Sequence, residues 1–208
     1  MGQKSSRFLF AIDYRKNWLA NWFAVGKEYS DFALEDMQIR KYLSQFDGKY
    51  FISRVSISRL GKSVEISILS ARPVSIIGNP DNISSIKTHL TSLTGKDVSI
   101  SVKGVKRPEL DASIIGLYIA NHISSGSSYK KSVKLAVQNS MKFGALGVKI
   151  VISGRLNGAE IARSEVYKDG SIPLHTIRAN IDYSCKVAAT KYGNIGIKVW
   201  VHIPEKFS

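Results

Sequence analysis

The sequence predicts an α/β (α+β) chain of two domains, and three observations carry that expectation. Hydrophobic residues make up 44% of 208 positions, enough for packed cores rather than a disordered chain. Segments that alternate apolar and polar residues interleave with segments at helical spacing along the whole length, and no internal repeat appears. A basic break at Lys106-Arg107-Pro108 separates two such series that are not copies of each other.

Residues 1–25 read as an arm of mixed basic and aromatic residues, and Trp18, Trp22 and Phe23 are expected to staple it onto the first domain. A helix is expected over Tyr29–Phe46, with an apolar face that includes Phe32, Met37, Ile39, Tyr42, Leu43 and Phe46. Ser30 is its expected cap, and Asp47-Gly48 its stop. Strands Phe51–Ser58 and Ser63–Ser70 follow by alternation, with Gly61-Lys62 as the turn between them. Asn79-Pro80 reads as a cap and first-turn proline, Ile83, Ile86, Leu90 and Leu93 as a helix face, and Gly95 as its end. A strand over Val98–Val105 closes the series. The order helix, strand, strand, glycine turn, helix, strand suits a small RNA-binding domain of the KH kind, in the type II variant, over residues 26–107.

Residues 108–208 open with two helices, Glu109–Ser124 and Ser128–Phe143. Strands are expected at Val148–Ser153, Glu160–Tyr167, Ile177–Val187 and Ile195–His202, so this domain should pack two helices on a mostly antiparallel sheet.

Charge narrows function. Thirty Lys and Arg against sixteen Asp and Glu leave a net +14. Seventeen against nine lie up to Pro108 and thirteen against seven after it, so the excess belongs to the whole body. A polyanion engaged by the folded surface, by default nucleic acid, is the implied partner. A single cysteine, Cys185, excludes an internal disulfide and multi-cysteine metal sites. No apolar run reaches membrane-spanning length, and the opening residues are too short for a secretory signal. No membrane, small-molecule substrate, metal or cofactor is expected.

The helix from Ser128 is the most informative segment. Tyr129, Val133, Ala136, Val137 and Ser140 gather on one side, and Lys130, Lys131, Lys134, Gln138 and Lys142 lie beside them. No acid interrupts the chain between Asp111 and Glu160. Lysines so spaced suit phosphates rather than base edges. The glycine loop is weaker. A KH loop needs Gly-x-x-Gly for close backbone approach, whereas this chain has Gly78-Asn79-Pro80-Asp81, with an acid in place of the second glycine. Gly144–Gly147 and Gly193–Gly196 match the pattern but read as a helix end and a strand turn.

Catalytic constellations are absent. No Gly-x-Ser-x-Gly nucleophile turn surrounds Ser153. Glu160 and Glu165 are expected on opposite faces of one strand. Cys185 reads as core filler and His175 as a structural histidine. Strand aromatics are expected to be buried rather than to stack on bases.

Several stretches resemble the bacterial-type ribosomal protein S-three family of the small subunit. They are Arg107-Pro-Glu-Leu-Asp-Ala112, Ser153-Gly-Arg-Leu-Asn-Gly-Ala-Glu-Ile-Ala-Arg-Ser-Glu165, Pro173-Leu-His-Thr-Ile-Arg-Ala-Asn-Ile-Asp-Tyr183 and Thr190-Lys-Tyr-Gly-Asn-Ile-Gly-Ile-Lys-Val-Trp200. The opening Met-Gly-Gln-Lys, Trp22-Phe23-Ala24 and Glu35-Asp36 through Ile39-Arg40 extend the resemblance to nearly the whole chain. It implies a structural, non-enzymatic constituent of the subunit head, a KH domain followed by a C-terminal domain. The implied partners are ribosomal RNA, neighbouring head proteins and incoming mRNA, whose entry channel the family lines and whose unwinding it assists. Lys130, Lys131 and Lys134 match the family's mRNA-contacting motif after the aromatic Tyr129, with Leu135 where a further basic residue is common. Lys106, Arg107, Arg155, Arg163 and Arg178 are the expected ribosomal RNA contacts, some with Asp182, Glu160 or Glu165 as competing partners. The eroded loop and motif imply a ribosome of the bacterial cytoplasm or an organelle-encoded chain of the mitochondrial matrix. The alternatives are a free KH-type RNA chaperone or assembly factor and, further off, a lyase using a lysine amine at abasic DNA.

Overall fold

A computed structural model of the chain describes residues 17–61, 63–78 and 80–204. The opening Met-Gly-Gln-Lys, Lys62 of the expected turn and Asn79 of the glycine loop lie outside the described residues. The chain divides into two units, one over Trp18–Lys106 and one from Arg107 onward that also includes Asn17.

The first unit starts with a short strand, β1 (Ala20–Asn21), then α1 (Lys27–Ser44) and α2 (Asp47–Tyr50). β2 (Ile52–Leu60) and β3 (Ser63–Ser70) form an antiparallel pair. α3 (Pro73–Ile77) and α4 (Pro80–Thr94) cross to β4 (Asp97–Gly104), which runs parallel to β3. The sheet order is β1-β2-β3-β4. Ile57, Val64, Ile66 and Ile68 turn inward by strand alternation and meet Ile39, Leu43 and Leu90 from the helices.

Several expectations change here. The N-cap of α1 is Gly26, whose positive φ of 64° suits glycine, so Ser30 is not the cap. The Ser30 hydroxyl instead donates to the Lys27 carbonyl one turn back. Asp47-Gly48 does not end the backbone's helical run but starts α2, and Phe51 breaks it with φ 51°. Met37, expected on the buried face, is exposed. Of the three arm aromatics only Trp22 staples: its Nε1 donates to Asp36 at 2.8 Å, and its ring stands edge-on to Phe32 at 5.6 Å. Trp18 and Phe23 are exposed. α3, five residues long, is too short for a periodicity to reveal.

The second unit begins with a 3-10 turn (Pro108–Leu110), then α5 (Ala112–Ser124), capped by Asp111 Oδ1 accepting from the Ser113 and Ile114 N–H groups. α6 (Tyr129–Lys142) follows, then β5 (Gly147–Gly154), β6 (Arg163–Gly170), β7 (Ile181–Thr190) and β8 (Gly193–His202). These strands form a fully antiparallel sheet in the order β6-β5-β8-β7. Val148, Ile150 and Ile152 of β5 and Ile195, Ile197, Val199 and Val201 of β8 are buried and share a core with Ile119, Val133 and Ala136. At Gly116 a Cβ would stand 3.2 Å from Lys186 Cγ, so its absence lets α5 lie close on β7. β6 starts at Arg163, which leaves Glu160 ahead of the strand rather than within it. Cys185, expected in the core, is exposed on β7.

Candidate nucleic-acid interface

α6 presents the candidate phosphate-binding face. Its apolar stripe is buried as its periodicity predicts: Tyr129 is 2% exposed, Val133 0% and Ser140 1%. Lys130, Lys131 and Lys134 stand exposed on the other side, with Leu135 beside them. The buried stripe fixes the helix, so the lysines project from a rigid platform on flexible stems.

The base of that platform is a polar clasp that sequence reasoning missed. The Tyr129 hydroxyl donates to Glu165 Oε1 at 3.0 Å, and the Tyr167 hydroxyl donates to Oε2 at 2.9 Å. Arg163 Nε lies 3.5 Å from the same carboxylate. The hydrogen bond from Tyr167 leads the causes that hold the Glu165 carboxyl below its ordinary range, with Tyr129, Lys130 and Arg163 adding to it. Burial and the Glu165 carboxylate push the Tyr167 phenol up to about 12. Glu165 is thus engaged by two phenols, of which Tyr129 ties α6 to β6.

The structure separates the five expected ribosomal RNA residues. Lys106 and Arg107 are exposed at the junction of the units, and Arg178 is exposed before β7. Arg163 is exposed but shares Glu165. Arg155 is half-buried, donating from Nε to the Ala159 carbonyl at 2.8 Å and from a terminal nitrogen to the Tyr192 carbonyl at 3.2 Å. Those bonds close the turn after β5 and engage part of the guanidinium's donor set within the fold.

The glycine loop joins α3 to α4. Gly78 has right-handed backbone angles, φ −62° and ψ −22°, and its N–H donates to the Val74 carbonyl at 2.7 Å. Asp81 is exposed in the first turn of α4, where a carboxylate suits the helix dipole but opposes an approaching phosphate. Pro80 opens that helix.

In the first unit, Arg59 is consumed internally. It pairs with Glu35 and Asp36, donates to the Phe32 carbonyl at 3.2 Å, and lies 4.5 Å from the Phe32 ring centroid. Lys96 also reaches Glu35 at 3.0 Å. Burial alone would raise the Glu35 carboxyl, but the Arg59 and Lys96 bonds outweigh it and leave it lowered. Arg40 donates to the Val55 and Leu19 carbonyls at 2.7 and 2.9 Å, holding the segment before β1 against β2.

Among the described residues, no group of three His, Cys, Asp or Glu could hold a metal ion, and no helix is long and apolar enough to cross a membrane. The fold and the lysine helix define a two-unit α+β protein with a basic helical face set on an antiparallel sheet. Residues 119–201 match the family model described as ribosomal protein S3, C-terminal domain. Small ribosomal subunit protein uS3 of Hydrogenovibrio crunogenus is 42% identical over 207 residues, covering 99% of this chain and 91% of the relative. The protein of the same name from Bacteroides thetaiotaomicron is 46% identical over 208 residues, covering 100% and 85%. That from Protochlamydia amoebophila is 43% identical over 206 residues, covering 99% and 96%. The chain belongs to the small ribosomal subunit protein uS3 family.

Proposed function

We propose that this chain is a structural constituent of the small ribosomal subunit that binds ribosomal RNA, and that Lys130, Lys131 and Lys134 contact mRNA entering the subunit and assist its unwinding. The observation that carries the mRNA reading is the lysine face of α6: three exposed ammonium groups on a helix whose opposite stripe is buried. Lysines in this setting hold phosphates without reading bases, as a channel for any message requires. The bacterial relatives favour the bacterial cytoplasm over an organelle.

For ribosomal RNA, Lys106, Arg107, Arg163 and Arg178 are the proposed contacts, and Arg155 holds the turn from which such contacts are made. The Gly78–Asp81 loop adds little, because Asp81 repels the phosphate that a second glycine would admit. Neighbouring subunit proteins complete the setting. No enzymatic step enters this reading.

Sucrose-gradient sedimentation of the chain from its own cells tests the ribosomal part: one-to-one migration with small subunits at high salt is expected. Migration only with light RNA complexes would make it a free RNA chaperone or assembly factor. The mRNA part is tested by replacing Lys130, Lys131 and Lys134 together with Ala. Subunits should still assemble, while translation through hairpin-containing message slows relative to unstructured message. Equal speed on both would refute the assignment.

A further inference from the structure

The second sheet has a face that α5 and α6 leave uncovered. Ile150, Ile197 and Val199 turn toward the helices and are fully buried, so the residues alternating with them turn the other way. Strand register sets Lys168, Lys149, Trp200 and Tyr183 side by side across all four strands. Lys198 sits in the next row, between Val151 and Cys185. The Trp200 and Tyr183 ring centroids are 5.1 Å apart with planes at 39°, and Lys149 Nζ is 5.3 Å from the Trp200 centroid. Both rings are half-buried, and Lys168 and Lys198 are exposed.

No carboxylate of these strands shares this face. Glu165, Asp169 and Asp182 pair with Ile152, Val148 and Val201, which all turn toward the helices. Burial first, and then the neighbouring Cys185, raises the Tyr183 phenol, so it adds no negative charge at neutral pH. The result is an aromatic pair with two lysines beside it in its own row and a third in the next, and no strand carboxylate among them.

We infer that this open face, centred on Trp200 and Tyr183, is a platform for unpaired RNA bases whose phosphates are met by Lys149, Lys168 and Lys198. Charge selects the occupant: the charged strand residues of this face are all cationic, which complements a polyanion. The rings select its form, because bases in a duplex are already stacked on each other and only unpaired ones can add to an aromatic surface. Residues two apart on a strand are about 6.8 Å apart, so Lys198 stands roughly one nucleotide step along β8 from Trp200. Lys149 lies over the indole on a flexible stem and can swing to a phosphate when a base arrives. This face is opposite the one that α6 covers, so it is independent of the mRNA reading.

The test uses the full chain and an unstructured oligouridine of about twelve nucleotides, with 5-iodouridine for photocrosslinking. Crosslinks are expected at Trp200 or Tyr183, and they should persist when Lys130, Lys131 and Lys134 are Ala. Trp200→Leu should weaken binding about tenfold, while Trp200→Phe keeps most of it, as a stacking contact requires. Circular dichroism melting checks that the Leu variant is folded, and if it is not, the crosslink on the unaltered chain decides. Crosslinks confined to α6 or to the first unit would overturn the inference. So would a folded Leu variant that binds as tightly as the unaltered chain.

Discussion

The two sheets share a plan and differ in what they leave uncovered. Each turns one side to helices and a core of Ile and Val. On the first sheet the other side carries rows such as Ser56, Ser67 and Ser101, or Ser58, Glu65 and Ser99, with no aromatic residue among them. On the second it carries Trp200, Tyr183 and Lys149. Individual cations differ in the same respect, although each unit also holds the other kind, since Lys106 is exposed and Arg155 half-buried. Arg59 of the first unit is turned inward, with its side chain 4% exposed between Glu35 and Asp36. Lys130, Lys131, Lys134 and Lys198 of the second are turned outward. Net charge counts these residues alike; the fold decides which of them can meet an anion.

The largest effect that would break this contrast is on stability. Arg59→Ala leaves Glu35 with Lys96 and Asp36 with Trp22 but removes the guanidinium that both carboxylates share, and should destabilise the first unit by about 3 kcal/mol, read by denaturant unfolding. A loss below about 1 kcal/mol would mean that Arg59 is not an internal clamp. In the second unit, Tyr129→Phe removes one hydrogen bond to Glu165 and should cost about 1 kcal/mol. The same measurement checks it.

Replacing Lys130, Lys131 and Lys134 with Ala should change stability by no more than about 0.5 kcal/mol, as expected for surface positions. The salt dependence of RNA binding should nevertheless shallow by roughly two in log–log slope, since each lost phosphate contact on a single strand contributes about 0.7. Affinity measured across a salt series reads this directly. An unchanged slope would make the lysine face a solvated surface only.

The smallest effects lie at the ends of the pH range. Glu35 has a folded pKa below its ordinary 4.5, so its contribution is present above about pH 4.5 and is lost as pH falls through the folded value. Tyr167 is raised from 10.0 to about 12, so its contribution is present below pH 10 and is lost as pH rises toward 12. Thermal melts across pH should show both shoulders, and Tyr167→Phe should remove the alkaline one alone.

Much of the fold was legible in the residues because it rests on local rules. β3 matches its expected bounds, Ser63–Ser70, since strict alternation marks a sheet with one buried face. The stripe of α6 was legible for the same reason at period 3.6, and its lysines followed from it. What was not legible depended on partners distant in the chain. Trp22 meets Asp36, Arg59 meets Glu35, and Tyr129 meets Glu165, and no spacing rule links those positions. Short elements were lost too, as α3 shows, because five residues span little more than one helical turn.

By itself, the sequence determined that this protein is a basic α+β chain with one helix bearing lysines beside an apolar stripe. Those features follow from composition and from the geometry of a single strand or helix. Only the tertiary structure decided that Arg155 and Arg59 are bound within the fold, that Cys185 faces outward, and that Trp200, Tyr183 and Lys149 stand in one row. Each of those depends on strand order and register, which are set by which apolar faces pack together across the whole unit.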